Sequence, residues 1–150
     1  MIGTAHHYGV TVSDLDEALD FYEGTLGLEL VSQGHVEKGT EDADKFDDFV
    51  DVDGVDVEVA FLDAGGCQVE LLRYHKPPGS DANEGVSNND IGASHFCLEV
   101  DDIDEVYDEL SDEVEFVNEP ITLSKGVRVA YMYDPDRNIV ELSDRSRMDE

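Results

Sequence analysis

Histidine and glutamate recur at matching places in the two halves of the chain. The run that begins at His7 reads HYGVTVSDLDE, and it returns at His95 as HFCLEVDDIDE. Each run is followed by a second match, Val-Glu-Leu, which places Glu70 in the first half and Glu141 in the second. A repeat of this kind indicates two copies of one structural unit. If the copies fold against each other, two histidines and two glutamates meet, which predicts a metal site.

The spacing of the four residues shows where the copies differ. His95 follows His7 by 88 residues, whereas Glu141 follows Glu70 by only 71. The difference, 17 residues, matches an insertion in the first copy. The polar and acidic stretch over residues 37–53 is the predicted insertion, a loop with a short helix around Ala43–Phe49.

Apolar alternation predicts which way the candidate side chains point. In the first strand, about residues 5–12, Val10 and Val12 share one face, which packs under a helix. His7 therefore points to the opposite face, and His6 points away from His7. The same alternation puts the other three candidates opposite the apolar rows of their own strands. A metal site on the sheet faces away from the helices is therefore expected.

Each half is predicted to be a β-α-β-β-β unit, so the fold class is α+β. In the first half, a helix begins at Ser13 or Asp14, with Leu15, Ala18, Leu19 and Tyr22 as its apolar stripe. The other predicted strands of that half lie at about 28–36, 55–63 and 67–74. The second half has a strand at 94–100, a helix at 102–110, and strands near 114–123, 126–133 and 138–143.

The two units are expected to form one domain over residues 1–150, because a single unit cannot bury its sheet alone. Module one covers about 1–75, the linker about 76–91 and module two about 92–150. The curved mixed sheets would enclose a cleft. The linker prediction rests on a stretch rich in Pro, Gly, Ser and Asn.

The charge excludes several classes of partner. The chain has 38 acidic against 9 basic residues, a net charge of −29, and the acids are spread along its whole length. Such a surface repels nucleic acid and anionic membranes. The even spread favours adaptation to a salty cytoplasm, as in halophiles. No signal peptide or apolar run of about 20 residues is visible, so a cytoplasmic location is expected.

The remaining chemically capable side chains are predicted to be structural. Cys67 and Cys97 form neither a disulfide scaffold nor a zinc-finger pattern and are expected to be small buried residues. His35 and His75 lie at a strand end or in a loop and are expected to be ordinary histidines. The segment 51–56, with its faint resemblance to a calcium loop, is expected to be a solvated turn.

The order of several short motifs carries a family resemblance. These motifs are His7, Asp14-Leu15-Asp16, Phe21-Tyr22, Leu26-Gly27-Leu28, Val69-Glu70-Leu71-Leu72, His95-Phe96, Val100-Asp101-Asp102-Ile103-Asp104, Asp134-Pro135-Asp136 and Glu141-Leu142. In this order the chain resembles the vicinal oxygen chelate superfamily, which includes glyoxalase I, methylmalonyl-CoA epimerase, extradiol dioxygenases, and bleomycin- and fosfomycin-resistance proteins. The resemblance covers essentially the whole chain.

The resemblance implies a metal-dependent enzyme. Its metal ligands would be His7, Glu70, His95 and Glu141, and the metal would be a divalent Ni, Co, Zn, Mn or Fe ion. A small substrate would chelate the metal through adjacent oxygens. A lyase or isomerase of glyoxalase type would then remove a neighbouring proton, with Glu70 or Glu141 as the base, and form an enediolate-type intermediate. The resemblance also implies a homodimer.

Other members of the superfamily leave two alternatives open. An extradiol ring-cleaving dioxygenase would use iron held by His7, His95 and Glu141, with Glu70 left over. A resistance protein would bind an antibiotic or another ligand without catalysis. The ligand set is closest to glyoxalase I, but Thr11 stands where glyoxalases usually carry an arginine that helps to hold glutathione. The substrate, and whether the cleft is built within one chain or between two, are left open.

Overall fold

The computed structural model describes residues 1–148, which form two compact units with the boundary between Ala82 and Asn83. Residues 149 and 150, which the sequence assigned to module two, lie outside the described residues. The prediction that both modules form one domain stays a prediction. In the described part of the chain, no helix is long and apolar enough to span a membrane.

The first unit is a four-stranded mixed sheet with two helices. Its elements are β1 (His7–Thr11), α1 (Leu15–Leu19), a π-helical turn (Asp20–Thr25), β2 (Glu29–Val36), α2 (Glu41–Val50), β3 (Asp56–Asp63) and β4 (Gln68–Lys76). The strand order is β1-β4-β3-β2, with β1 parallel to β4 and the other pairs antiparallel. The insertion predicted from the spacing is α2 and its flanking loops.

The second unit repeats the same order without the inserted helix. Its elements are β5 (His95–Glu99), α3 (Ile103–Leu110), β6 (Ile121–Thr122), a 3-10 turn (Ser124–Gly126), β7 (Arg128–Tyr133) and β8 (Ile139–Asp144). The strand order is β5-β8-β7-β6, and β5 runs parallel to β8. The prediction of an α+β fold made of two β-α-β-β-β modules is confirmed.

Equivalent aspartates start the equivalent helices. The carboxylate of Asp14 accepts a hydrogen bond from the backbone N–H of Glu17, and that of Asp102 accepts one from Glu105. These bonds satisfy donors that the first helical turn leaves without an intrahelical acceptor. The helix start that the sequence left open between Ser13 and Asp14 is therefore at the Asp14 cap.

The apolar rows predicted by alternation form the core of each unit. Val69 and Leu71 of β4 are fully buried, as are Val140 and Leu142 of β8. Helix α1 packs on β4, and α3 packs on β8. Burial of each such side chain contributes about 1.5–3 kcal/mol. One face of each sheet is thereby committed to its helix, which leaves the other face for the polar candidates.

Two strand boundaries differ from the prediction. The strand expected near 114–123 is reduced to Ile121–Thr122 and an isolated bridge between Phe116 and Met132. Pro120 lies between these pieces, and proline cannot donate to a ladder. In the first unit, β4 continues to Lys76 instead of ending near residue 74, so His75 lies in a strand rather than in a loop.

Candidate metal centre

The first candidate pair sits on the two parallel strands of the first unit. Gly9 is the register partner of Glu70, so His7, two residues before Gly9, lies on the same face as Glu70. The His7 Nε2 atom is 3.4 Å from Glu70 Oε1. The His7 side chain is 40% exposed and that of Glu70 only 17%. The carboxylate is therefore largely enclosed while the imidazole reaches solvent.

The second pair repeats this arrangement in the second unit. Cys97 is the register partner of Glu141, and His95 precedes Cys97 by two residues. The His95 Nε2 atom lies 3.5 Å from Glu141 Oε1, and the side chains are 39% and 22% exposed. The sequence repeat is thus also a repeat of side-chain geometry.

The separations within the pairs fit ligands of a common ion. A typical N–H···O hydrogen bond has a donor–acceptor distance of about 2.9 Å, and both pairs are longer. Two ligands bound at about 2.1 Å to one ion lie roughly 3.0–3.4 Å apart for angles between 90° and 109°. The His7–Glu70 separation of 3.4 Å lies at the upper end of that range, and the His95–Glu141 separation of 3.5 Å lies just beyond it. Imidazole and carboxylate together also suit Ni, Co, Zn, Mn and Fe.

The structure brings His7 to Glu70 and His95 to Glu141. The joining of both pairs on one ion stays a prediction. The catalytic role predicted for Glu70 and Glu141 stays a prediction as well.

An aromatic ring flanks each pair, which the sequence analysis missed. Phe61 of β3 is the register partner of Glu70, and its ring meets that of His7 edge-on, with centroids 5.5 Å apart. Tyr131 of β7 pairs with Glu141 in the same way, and its ring centroid is 4.9 Å from that of His95. The signal was a third internal match, Val-Ala-Phe at 59–61 and Val-Ala-Tyr at 129–131.

Tyr131 places a phenol hydroxyl beside the second pair, at the position where the first pair has the apolar ring of Phe61. Tyr131 Oη is 3.3 Å from His95 Nε2. Local burial and, after it, the charge of Glu141 raise the pKa of Tyr131. The phenol therefore stays protonated near neutral pH and can donate a hydrogen bond.

The cysteine prediction was wrong for Cys97, which is exposed, and Cys67 is only half-buried. Cys97 lies on the same strand face as His95, away from the apolar row, so alternation itself puts it outside the core. Local desolvation, then a hydrogen bond and the charge of Glu141, raise the pKa of the Cys97 thiol to about 12. The group is therefore a neutral thiol rather than a nucleophilic thiolate near pH 7.

The expectation that His6 points away from His7 was wrong. His6 precedes the first residue of β1, so strand alternation does not govern it. The Nδ1 atoms of the two rings are 2.7 Å apart, within hydrogen-bond distance. The contact with His6 orients the His7 ring so that its Nε2 atom faces Glu70. Histidines that bind metals are commonly oriented by a hydrogen bond at their other ring nitrogen.

His35 and His75 lie close together at one end of the first sheet, and the expectation that they are ordinary histidines stays a prediction. Both lie in strands, and their rings are 5.8 Å apart. Each contacts a carboxylate of β3, His35 with Asp56 and His75 with Glu58. The hydrogen bond to Asp56 raises the pKa of His35. Asp56, the last residue of the segment expected to be a solvated turn, thus belongs to a side-chain cluster.

Comparison with known proteins identifies the class that this fold and these pairs define. The sequence profile of the Glyoxalase/Bleomycin resistance protein/Dioxygenase superfamily matches residues 4–142. The chain belongs to that superfamily. The resemblance inferred from the motifs is therefore confirmed. A search of curated proteins gave no match.

Solved structures share the fold at low sequence identity. A glyoxalase family protein from Bacillus cereus is 23% identical, with a TM-score of 0.83 over 96% of this chain and 95% of that one. A lactoylglutathione lyase from Agrobacterium tumefaciens is 22% identical, with a TM-score of 0.60 over 97% and 96%. The trypanothione-dependent glyoxalase I of Leishmania major is 21% identical, with a TM-score of 0.63 over 92% and 84%.

Proposed function

We propose that the protein is a divalent-metal-dependent lyase or isomerase of glyoxalase type. Its substrate is a small molecule with two adjacent oxygens and a neighbouring C–H group that loses a proton. The observation that carries this proposal is the matched geometry of His7 with Glu70 and of His95 with Glu141. We propose that the two pairs supply four ligands to one ion, within one chain or between two copies of the chain.

The chain's own residues have distinct roles in this proposal. The imidazoles of His7 and His95 hold the ion. When bound, the metal would act as a Lewis acid on the substrate oxygens and stabilise the negative charge that proton loss creates. Either Glu70 or Glu141 accepts the proton. Both carboxylates are largely enclosed, at 17% and 22% exposure, so solvent competes little for the base.

The second glutamate favours this class over an iron dioxygenase. A 2-His-1-carboxylate site would use His7, His95 and Glu141 and leave Glu70 without a role. Yet the contact of Glu70 with its histidine differs from that of Glu141 by only 0.1 Å, 3.4 against 3.5 Å. An equally placed pair in each unit supports four ligands rather than three.

The substrate class follows partly from the first strand. Thr11 stands four residues after His7, where glyoxalases usually carry the arginine that helps to hold glutathione. A neutral side chain there gives no ion pair to an anionic thiol cofactor. Thiol hemithioacetals of other kinds and acyl-CoA esters are the substrates to screen first. We further propose a homodimer that works in a high-salt cytoplasm.

Loss of a carboxylate tests the proposed base. At saturating metal, Glu70→Gln or Glu141→Gln should lower kcat by about 10²–10⁴-fold, the usual contribution of a general base. The measurement is turnover of methylglyoxal–thiol adducts and acyl-CoA esters in concentrated KCl, with metal content determined for each variant. Glu29→Gln, which changes an exposed carboxylate at the start of β2, is the matched control.

Retained turnover in both glutamine variants would contradict the base assignment. Oxygen consumption with a catechol by iron-loaded protein would instead support the dioxygenase alternative. Ligand binding that survives both substitutions, without turnover of any substrate, would support the alternative of a resistance protein that binds a ligand without catalysis.

A further inference from the structure

Three neighbouring strands of the first unit bring four metal-ligating side chains to one end of the sheet. His35 of β2 is the register partner of Glu58 in β3, and Asp56 precedes Glu58 by two residues on the same face. The β3–β4 register shifts between Asp56 and Val57, whose partners are Lys76 and Tyr74. His75 is the extra residue of this bulge, and bulges re-aim side chains.

The side chains of this second cluster, His35, Asp56, Glu58 and His75, form two contacting pairs whose histidine rings are neighbours. His35 Nε2 lies 2.5 Å from Asp56 Oδ1, and His75 Nε2 lies 2.7 Å from Glu58 Oε1. One ligand atom each from His35, Asp56 and His75 lies within 4.8 Å of the other two. The cluster thus pairs two imidazoles with two carboxylates rather than gathering acids alone.

A backbone contact holds one of these carboxylates in place. The second oxygen of Asp56, Oδ2, accepts a hydrogen bond of 3.1 Å from the backbone N–H of Lys38. Oδ1 is left to face His35. The backbone hydrogen bond therefore orients the Asp56 carboxylate toward His35 in the absence of an ion.

The second cluster is separate from the His7–Glu70 pair. Glu70 is the register partner of Phe61 and lies on the same face of the sheet. Glu58 lies on the opposite face of β3, together with Ala60 and Leu62, because side chains alternate along a strand. His75 also lies five residues beyond Glu70 on β4, roughly 17 Å at about 3.4 Å per residue. One ion cannot touch both groups.

We propose that the second cluster is a binding site for a second divalent cation of the Zn²⁺ type, which ties β2, β3 and β4 together. Imidazole ligands select Zn²⁺, Co²⁺ or Ni²⁺ over Mg²⁺ or Ca²⁺. Four ligands on a tetrahedral zinc ion lie about 3.3 Å apart. The ligand atoms of His35, Asp56 and His75 lie within 4.8 Å of one another, so binding would draw them closer together, with Glu58, held by His75, as the fourth ligand.

The simpler interpretation is a pair of histidine–carboxylate hydrogen bonds with no metal. Both histidines are about two-fifths exposed, at 40% and 38%, so solvated pairs alone would contribute little to stability. The two interpretations differ in one respect. Two independent pairs do not require the rings of His35 and His75 to be neighbours, whereas a shared ion does.

Cobalt(II) spectroscopy separates this site from the proposed catalytic centre. The titration uses the variant His7→Ala/His95→Ala, which lacks both imidazoles of the proposed catalytic centre. Co²⁺ is added in 2 M KCl, because the salt screens the attraction of the cation to the acidic surface. We expect one Co²⁺ per chain, with the strong visible absorption of a tetrahedral ion. Adding His35→Ala or His75→Ala should weaken binding by about 100-fold or more, beyond the 10–100-fold typical of outer-shell partners.

Two controls keep the test decisive. His6→Ala in the same background removes a histidine outside the second cluster and should leave Co²⁺ binding unchanged. In the otherwise unaltered chain, His35→Ala/His75→Ala should lower the bound Zn²⁺ by one ion per chain. The rise in Tm on adding Zn²⁺ should also be smaller for this variant than for the parent chain. Absence of Co²⁺ binding, or binding that survives loss of both histidines, would overturn the proposal. Neither result depends on enzymatic activity.

Discussion

The two candidate pairs differ at the residue that lies beside each glutamate. Gly9 occupies this position in the first unit and Cys97 in the second, each as register partner of the glutamate. A Cβ at Gly9 would lie 3.4 Å from Glu70 Oε1 and 3.7 Å from Leu72 Cδ1, which is ordinary contact. A methyl group therefore fits beside the carboxylate, and we expect a branched side chain, which adds two methyl groups to this contact, to displace it.

Substitution at Gly9 tests whether the position of Glu70 matters for metal binding. Gly9→Val should displace the carboxylate and weaken metal binding by about 10–100-fold, the usual cost of disturbing a ligand's surroundings. Gly9→Ala should change the affinity by less than about threefold. The Kd for Co²⁺ and the Tm are measured for both variants. Because valine favours strands, the Tm of Gly9→Val should be no lower than that of the parent chain. Equal metal affinity for Gly9→Val and the parent chain would count against Glu70 as a ligand.

At the scale of elements, a strand residue holds the helix of the second unit. Asp144, buried at the end of β8, accepts a hydrogen bond from the backbone N–H of Ile103, the first residue of α3. Its other oxygen accepts from the hydroxyl and the backbone N–H of Ser146. The hydroxyl of Ser146, then the N–H groups of Ser146 and Ile103, hold the pKa of Asp144 below its usual value.

The lowered pKa of Asp144 predicts how its contribution to the free energy of unfolding changes with pH. Asp144 stabilises the fold at pH values above its unfolded pKa, near 3.9, and this contribution is lost as pH falls through the lower folded pKa. Asp144→Ala should therefore reduce the free energy of unfolding by about 1–3 kcal/mol at pH 7, and the deficit should shrink below pH 4. Urea titrations at both pH values in concentrated KCl measure it. Asp108→Ala, on the exposed side of α3, is the control. A deficit that is the same at both pH values would contradict this account.

Prediction from the sequence succeeded where side chains alternate in regular strands. His7 and His95 were placed correctly relative to Val10 and Leu98, because the period of a strand is fixed. The second cluster was missed for a different reason. It depends on the antiparallel register of β2 with β3 and on the bulge at His75, and neither leaves a pattern in the sequence of a single strand. His6 was misplaced because it lies outside the strand whose period was applied.

At the scale of the whole molecule, the net charge of −29 opposes the compact state. Most of the acids are exposed, so salt can screen them. The Debye length falls from about 10 Å at 0.1 M to about 3 Å at 1 M salt. Repulsion between acids that are not close neighbours then largely disappears.

Stability should therefore rise with salt concentration. We expect Tm to increase by about 10 °C between 0.1 and 2 M KCl, or roughly 3 kcal/mol for a chain of this length. Thermal unfolding followed by circular dichroism measures the shift. Sucrose, which favours burial without screening charge, serves as the control and should give a smaller rise. A Tm that is flat or falls with KCl would show that self-repulsion does not limit this fold.

The central claim is that the pairs His7–Glu70 and His95–Glu141 serve one ion. Its most direct measurement is equilibrium dialysis with Co²⁺ in 2 M KCl, using His35→Ala/His75→Ala protein so that the second cluster does not contribute. The account predicts one ion per chain, and loss of that ion when either His7 or His95 is replaced by alanine. Two ions lost independently, no bound ion, or binding that survives replacement of either histidine would contradict it.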